Sequence, residues 1–270
     1  MRVGGRLTGL SAVAAHGGWV LGRHPLHVAV PANAARLRSQ WRRDVRRADA
    51  LPDDVVVHWV APAPDRGSST GIVDLAEAVE LVCRTETAEQ AIAVLDWVRR
   101  SAGLDRIELA ELRERLGPLR WLVDASVDNC DSLPESLART RLRAAGVQVS
   151  TQVGFTDGLE QIDLVLEGTV AVEVDGDEFH RDRFEEDRAR DLAITGVGLH
   201  AVRPSARQVF TRWPEVQAAL LRALREHGIL VDLHNSGVVQ VGRPATRREG
   251  APPGLRARAA PELWRHARAG

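Results

Sequence analysis

With 270 residues, 27% charged and 44% hydrophobic side chains and a formal net charge of −1, the chain has the balance of a globular protein of one or two domains with a sizeable core. No run of about 18 apolar residues occurs, and the apolar positions near the N-terminus are broken by His16, Gly17 and Gly18, so a cytoplasmic protein that neither spans a membrane nor is secreted is expected. The two cysteines, Cys83 and Cys130, stand in no CxxC or Cys/His cluster, which argues against a disulfide framework and a structural zinc site.

The small net charge conceals an uneven distribution. Residues 1–60 carry nine Arg against four Asp and residues 229–270 seven Arg against three acids, so the middle of the chain is strongly acidic. There is no lysine: all 36 basic residues are Arg. Any mechanism that needs a lysine amine is thereby excluded.

Residues 1–70 are expected to form a small α+β region: a helical pattern after Thr8, an apolar run His27–Val30, an Arg-rich stretch Arg36–Arg47 and a β-branched run Val55–Val60. Pro62, Pro64, Gly67 and the cluster Ser68, Ser69, Thr70 mark a loop ending in a helix N-cap. Residues 71–129 are helical by period, with Ile72, Leu75, Val79 and Val82, then Ala91, Val94, Leu95 and Val98, then Ile107, Leu109, Leu112 and Leu116 up to Gly117-Pro118. They are expected to act as a helical connector.

From residue 130 the elements follow an ordered pattern. A helix starts at Ser132 with Pro134 in its first turn and Glu135 three residues after the cap, and stops at Gly146. Strand-like runs Val147–Phe155, Gln161–Leu166 and Val170–Val174 follow, separated by Asp157-Gly158 and Glu167-Gly168 turns. A charged helix over Phe184–Thr195, a strand Gly198–Val202 and a long helix from Ser205 to Glu226 complete the order αβββαβα. Residues 229–270, rich in Pro, Gly and Arg, are expected to be a mobile basic tail.

Acids hold particular places in this block: Glu135 in the first helix, Asp163 within the apolar strand Gln161–Leu166, and Glu173 and Asp175 at the end of the third strand. A carboxylate on a buried sheet needs a cation or a donor beside it. Asp163 and Glu173 invite a shared Mg²⁺ or Mn²⁺, whose hard oxygen shell suits them and which can activate water against a phosphodiester. The alternative is that these acids face solvent from one side of an antiparallel sheet. Elsewhere, Arg36–Arg47 sets Arg around Trp41, as a phosphate-contacting helix or as an ordinary solvated one. His16, His24, His27 and His58 have no HExxH-like spacing and are expected to be structural.

The string PESLARTRLRAAG, then QIDLVL, VAVEVDGDEFH and FEEDRARDLAITGVGLHAVR resembles the Vsr-like branch of the PD-(D/E)XK restriction-endonuclease superfamily. More narrowly it resembles actinobacterial proteins in which such a domain follows a region similar to AbiEi-type antitoxins, residues 1–125 sharing weaker features such as GRLTGLSAVAAHGG and VVVHW. The resemblance implies an antitoxin-like character for the small α+β region at 1–70 and a restriction-endonuclease-like αβββαβ core with a mixed central sheet at 130–228, joined by the helical connector at 71–129 and followed by the basic tail at 229–270. It implies a metal-dependent DNA endonuclease or nickase with Mg²⁺ or Mn²⁺ held by Asp163, Glu173, the Val174 carbonyl and Glu135. Asp175 stands where the superfamily has lysine, in the EVDG form usual for the narrower family, and Asp163, Glu173, Asp175 and His180 become the catalytic candidates, His180 for proton transfer. Arg139, Arg188 and Arg203, with Arg42 and Arg43 in the basic N-terminal stretch, are the expected nucleic-acid contacts. DNA is the implied partner, with a cognate toxin or other protein as a further one. The alternative function is an AbiEi-like nucleic-acid-binding regulator or antitoxin component that keeps the nuclease fold and cuts nothing.

Overall fold

A computed structural model describes residues 5–32, 34, 37–39, 44–46, 55–60, 71–155, 161–176, 184–232, 237–240 and 255–256. The chain divides into two compact units, Met1–Asp128 and Asn129–Gly270.

In the first unit a short strand β1 (Arg6–Leu7) runs into α1 (Gly9–Ala15), followed by β2 (Leu26–Pro31) and β3 (Val55–Val60). The sheet order is β1-β2-β3, with β1 antiparallel and β3 parallel to β2, so that the β-branched runs Val28, Val30 and Val55 meet in one buried cluster. Next come α2 (Leu75–Thr85), α3 (Ala88–Arg100), α4 (Arg106–Leu116), a 3-10 turn Gly117–Arg120 and α5 (Trp121–Ala125). Most of their periodic apolar positions, Val79, Val82, Ile92, Leu95, Leu112 and Leu116 among them, are buried, whereas Leu75 is half-buried and Ile107 is 69% exposed. The side chain of Thr87 caps α3 by accepting from the Gln90 amide, and Asp105 with Glu108 forms a capping box on α4.

This helical block is more than a connector. The Leu7 amide donates to the Gly71 carbonyl at 2.8 Å and the Val73 amide to the Leu7 carbonyl at 2.9 Å, and α2 packs on α1. Residues 71–128 therefore share a unit with the small sheet, and the N-cap residue of α2 is Asp74 rather than the Ser68–Thr70 cluster, which lies outside the described residues.

The second unit opens with α6 (Leu133–Ala144), whose N-cap Ser132 accepts from the Glu135 amide and whose exit passes through Gly146 at φ +86°. Then come β4 (Val149–Phe155), β5 (Ile162–Leu166), β6 (Val170–Val172), α7 (Phe184–Gly196), β7 (His200–Val202), α8 (Ala206–Thr211) and α9 (Trp213–Glu226). The single long helix expected over 205–226 is interrupted at Arg212 (φ −134°, ψ 33°). Pro214 accounts for the break, because a continuous helix would set its ring against the Phe210 carbonyl one turn back.

Residues 229–270, expected as a mobile tail, supply β8 (Ile229–Asp232) and β9 (Gly237–Gln240), which pair with each other, and β10 (Leu255–Arg256), which pairs with β4. The main sheet has the order β10-β4-β5-β6-β7, antiparallel except for the parallel pair β6–β7. The parallel pair needs a crossover, and α7 supplies it, burying Ile194 against Val165, Ala171 and Leu199. The class is α+β with mixed sheets. Among the described residues no helix is long and apolar enough to cross a membrane.

Candidate functional site

Strand register brings the polar residues of four strands into one line. β4 and β5 pair Thr151 with Leu164 and Val153 with Ile162, which leaves Gln152 and Asp163 between these pairs. Continuing the β5–β6 register past Leu164 and Val172 sets Asp163 across from Glu173, and continuing the parallel β6–β7 register past Val172 and Val202 sets Glu173 beside Arg203. Gln152, Asp163, Glu173 and Arg203 thus cross the sheet as one row, Gln152 and Asp163 within β4 and β5, Glu173 and Arg203 just past the ends of β6 and β7. Gln152 holds φ +48°, a left-handed backbone that costs a non-glycine residue of order 1–3 kcal/mol and is concentrated at functional sites.

Charge in this row is unevenly satisfied. Glu173 is 6% exposed. Arg190, from α7, donates through Nε to Glu173 Oε1 at 2.7 Å and Oε2 at 2.6 Å, and Arg203 donates to Oε2 at 2.7 Å. Arg203 also donates through Nε to Asp191 Oδ1 at 2.7 Å and lies 3.6 Å from Asp175 Oδ1. Asp163 receives the Val174 amide at 2.9 Å on Oδ2. Burial, with the charges of Glu135 and Glu173, pushes its pKa up to about 7 against the opposing Val174 hydrogen bond and Arg190 charge.

Glu135 sits 5% exposed in the first turn of α6. It accepts from the Ser132 hydroxyl at 2.7 Å, the Asp131 amide at 2.9 Å and the Gln152 side-chain amide at 3.2 Å. Burial raises its pKa, with those hydrogen bonds pulling the other way. Gln152 therefore links the α6 carboxylate to the strand row.

The remaining expected residues divide clearly. Asp175 continues β6 through a parallel bridge to Ser205, its side chain 39% exposed beside Arg203. Arg188 is exposed on α7. Arg139 is a correction: at 0% exposure it belongs to the interior of α6, one turn beyond Glu135, and does not reach a phosphate backbone from there. Arg203 differs too, its guanidinium being committed to Glu173, Asp191 and Asp175. His180, Arg42 and Arg43 lie outside the described residues. Sequence reasoning passed over Gln152 and left Arg190 as one charge of the Phe184–Thr195 helix, either a part of the superfamily-like Arg188–Asp191 pattern or a solvated face; its hydrogen bonds to Glu173 come from packing that the pattern does not show.

Among the described residues no three His, Cys, Asp or Glu side chains are grouped to hold a metal ion. The oxygen donors of Asp163 and Glu173 are nonetheless the hard type that Mg²⁺ or Mn²⁺ takes. Asp163, facing two other carboxylates, is short of positive charge, and a divalent cation fits that deficit; Glu173 would have to share its oxygens between such an ion and its arginines. Compared with protein families, curated proteins and solved structures, the chain matches none.

Proposed function

We propose that the second unit is a restriction-endonuclease-like domain that hydrolyses phosphodiester bonds of DNA with Mg²⁺ or Mn²⁺. The observation that carries this reading is the adjacency of Asp163 and Glu173 on β5 and the end of β6, with Glu135 near enough for its charge to raise the Asp163 pKa. Asp163 and Glu173, with Glu135 acting from α6, are the residues that would hold the cation, which when bound supplies charge neutralisation at the scissile phosphate and a more acidic water. The chain's own groups do the rest. Arg190 and Arg203 fix the Glu173 rotamer from two sides, Gln152 fixes Glu135, and Arg203 brings the positive charge nearest to Asp175, where the superfamily places lysine. His180 is the proposed proton-transfer group. The first unit, with its likeness to AbiEi-type antitoxins, is proposed to recruit a target or a protein partner such as a cognate toxin.

A second reading has its own support. Both Glu173 oxygens are already bound by arginine, which favours a nucleic-acid-binding regulator that keeps the fold without cutting. Cleavage of supercoiled plasmid and single-stranded DNA separates the two. With Mg²⁺ or Mn²⁺ the wild type is expected to nick or linearise, and chelator, Asp163→Ala and Glu173→Ala each to lower the rate at least 100-fold, the scale of a lost catalytic group. Wild-type cleavage no faster than that of both variants would overturn the nuclease and leave the regulator.

A further inference from the structure

The first unit contains a cavity of about 540 Å³ lined by Leu10, Leu21, His24, His27, His58 and Glu86, with Arg23 also on its wall; this is the size of a small-ligand site. Its histidines come from different segments: His24 from the loop before β2, His27 from the start of β2 and His58 from β3. His58 Nε2 and His27 Nδ1 are 3.1 Å apart, and the rings, 26° apart in plane with centroids at 5.2 Å, meet nitrogen to nitrogen. Gly9 keeps this approach open, since a Cβ there would stand 3.1 Å from His27 Nδ1.

His24 completes the set. Its centroid is 6.1 Å from that of His27, and its Nδ1 lies 2.8 Å from the Pro25 carbonyl. A carbonyl only accepts, so Nδ1 carries the proton, and in the neutral ring the lone pair is on Nε2. This is the way a backbone carbonyl orients a ligating imidazole.

We propose that this cavity binds a first-row transition cation of the Zn²⁺ type through His27 Nδ1 and His58 Nε2, with His24 Nε2 or Glu86 as third donor and water beyond. Two nitrogens on a tetrahedral Zn²⁺ at about 2.0–2.1 Å lie about 3.4 Å from each other, so the facing pair needs to open by only a few tenths of an ångström. Imidazole donors select Zn²⁺, Co²⁺, Ni²⁺ or Cu²⁺ over Mg²⁺, which separates this site chemically from the carboxylate row of the second unit. The histidine pair is the preset part. As no three donors among the described residues are already grouped, the third swings in on binding. The metal-free pair shares one N–H···N proton; when the ion enters, that proton moves through water to the far nitrogen of the same ring, both rings staying neutral, with no net proton released.

The test is a titration of the full chain, freed of metal by chelator, with CoCl₂, followed by visible absorption and by metal content after dialysis. One equivalent with the d–d band of nitrogen-ligated Co²⁺ is expected, displaced by Zn²⁺. His58→Phe should abolish the band, and His24→Ala, at a half-buried site where folding is readily checked by circular dichroism, should weaken binding about 10- to 100-fold. Asp163→Asn should leave it unchanged. A band that survives in both folded histidine variants, one that is lost only with Asp163→Asn, or no stoichiometric uptake by the wild type would each overturn the proposal.

Discussion

Asp163 is the residue at which the cost of the site is concentrated. Its pKa, raised to about 7 from an ordinary carboxylate value of 3.8, means that the folded protein binds its proton more tightly than the unfolded chain does. Its contribution to stability is therefore fully present below about pH 4 and lost as pH rises through about 7. Asp163→Asn, which keeps an oxygen for the Val174 amide and removes the charge, is expected to stabilise the second unit by about 2 kcal/mol at pH 8 in chelator and to change little at pH 4, as read by urea unfolding. The same substitution should abolish cleavage, so stability and activity move in opposite directions. Much of this site was legible in the chain: a lone acid in an apolar strand and another at the end of the next already mark Asp163 and Glu173. Its cationic half was not legible in the same way. Whether Arg190, Arg203 or Arg139 reaches solvent depends on which helix face meets the sheet, and only packing fixes that. Arg139 in particular reads as surface because Arg usually is, and proves fully buried.

At the scale of elements, boundaries followed local chemistry wherever caps and turns were strong. Ser132 with Pro134 and Glu135 starts α6 where expected, and the β5–β6 turn falls at Glu167-Gly168. Gly168 holds φ +65°, and a Cβ there would meet nothing within 4 Å. Gly168→Ala should therefore destabilise by about 1 kcal/mol through backbone conformation alone, seen as a lower urea midpoint with an unchanged slope. Of the departures from expectation, one has a local cause and the others depend on distant partners. The run from Ser205 to Glu226 has one continuous amphipathic pattern, and Pro214 divides it. Residues 71–128 have the period of any helical spacer, and only their hydrogen bonds to β1 and packing on α1 join them to the small sheet. The β8–β9 hairpin and β10 carry weak patterns in a Pro- and Gly-rich stretch, and they owe their form to pairing.

Over the whole molecule the two units have opposite acid responses. In the first, burial and the neighbouring imidazoles of His58 and His24 lower the pKa of His27 to about 4, burial lowers that of His58, and Arg115 and Arg84 lower that of Glu80. A depressed histidine contributes stability above its unfolded value near 6.5 that is lost as pH falls toward the folded value. In the second unit Asp163, Glu135 and Glu167 are raised, with the exposed His227, among the described residues, lowered against them. Taking the metal-free protein from pH 7.5 to pH 5 should weaken residues 1–128 and strengthen residues 129–270. Hydrogen exchange followed by peptide should show protection falling in the first unit and rising in the second; parallel changes in both would refute it.

The pairing of β10 with β4 has a consequence for synthesis. Leu255 and Arg256 bind Phe155 and Gly154 across about a hundred residues of intervening chain, a loop whose closure entropy alone is about 4 kcal/mol. During translation β4, β5, β6 and β7 can all assemble before residue 255 has left the ribosome, and through that interval the outer edge of β4 offers unpaired amides and carbonyls to any neighbouring nascent strand. A stop codon just upstream of 255 would make that interval permanent, and a truncated protein of this kind should be lost to inclusion bodies even though every candidate site residue is present.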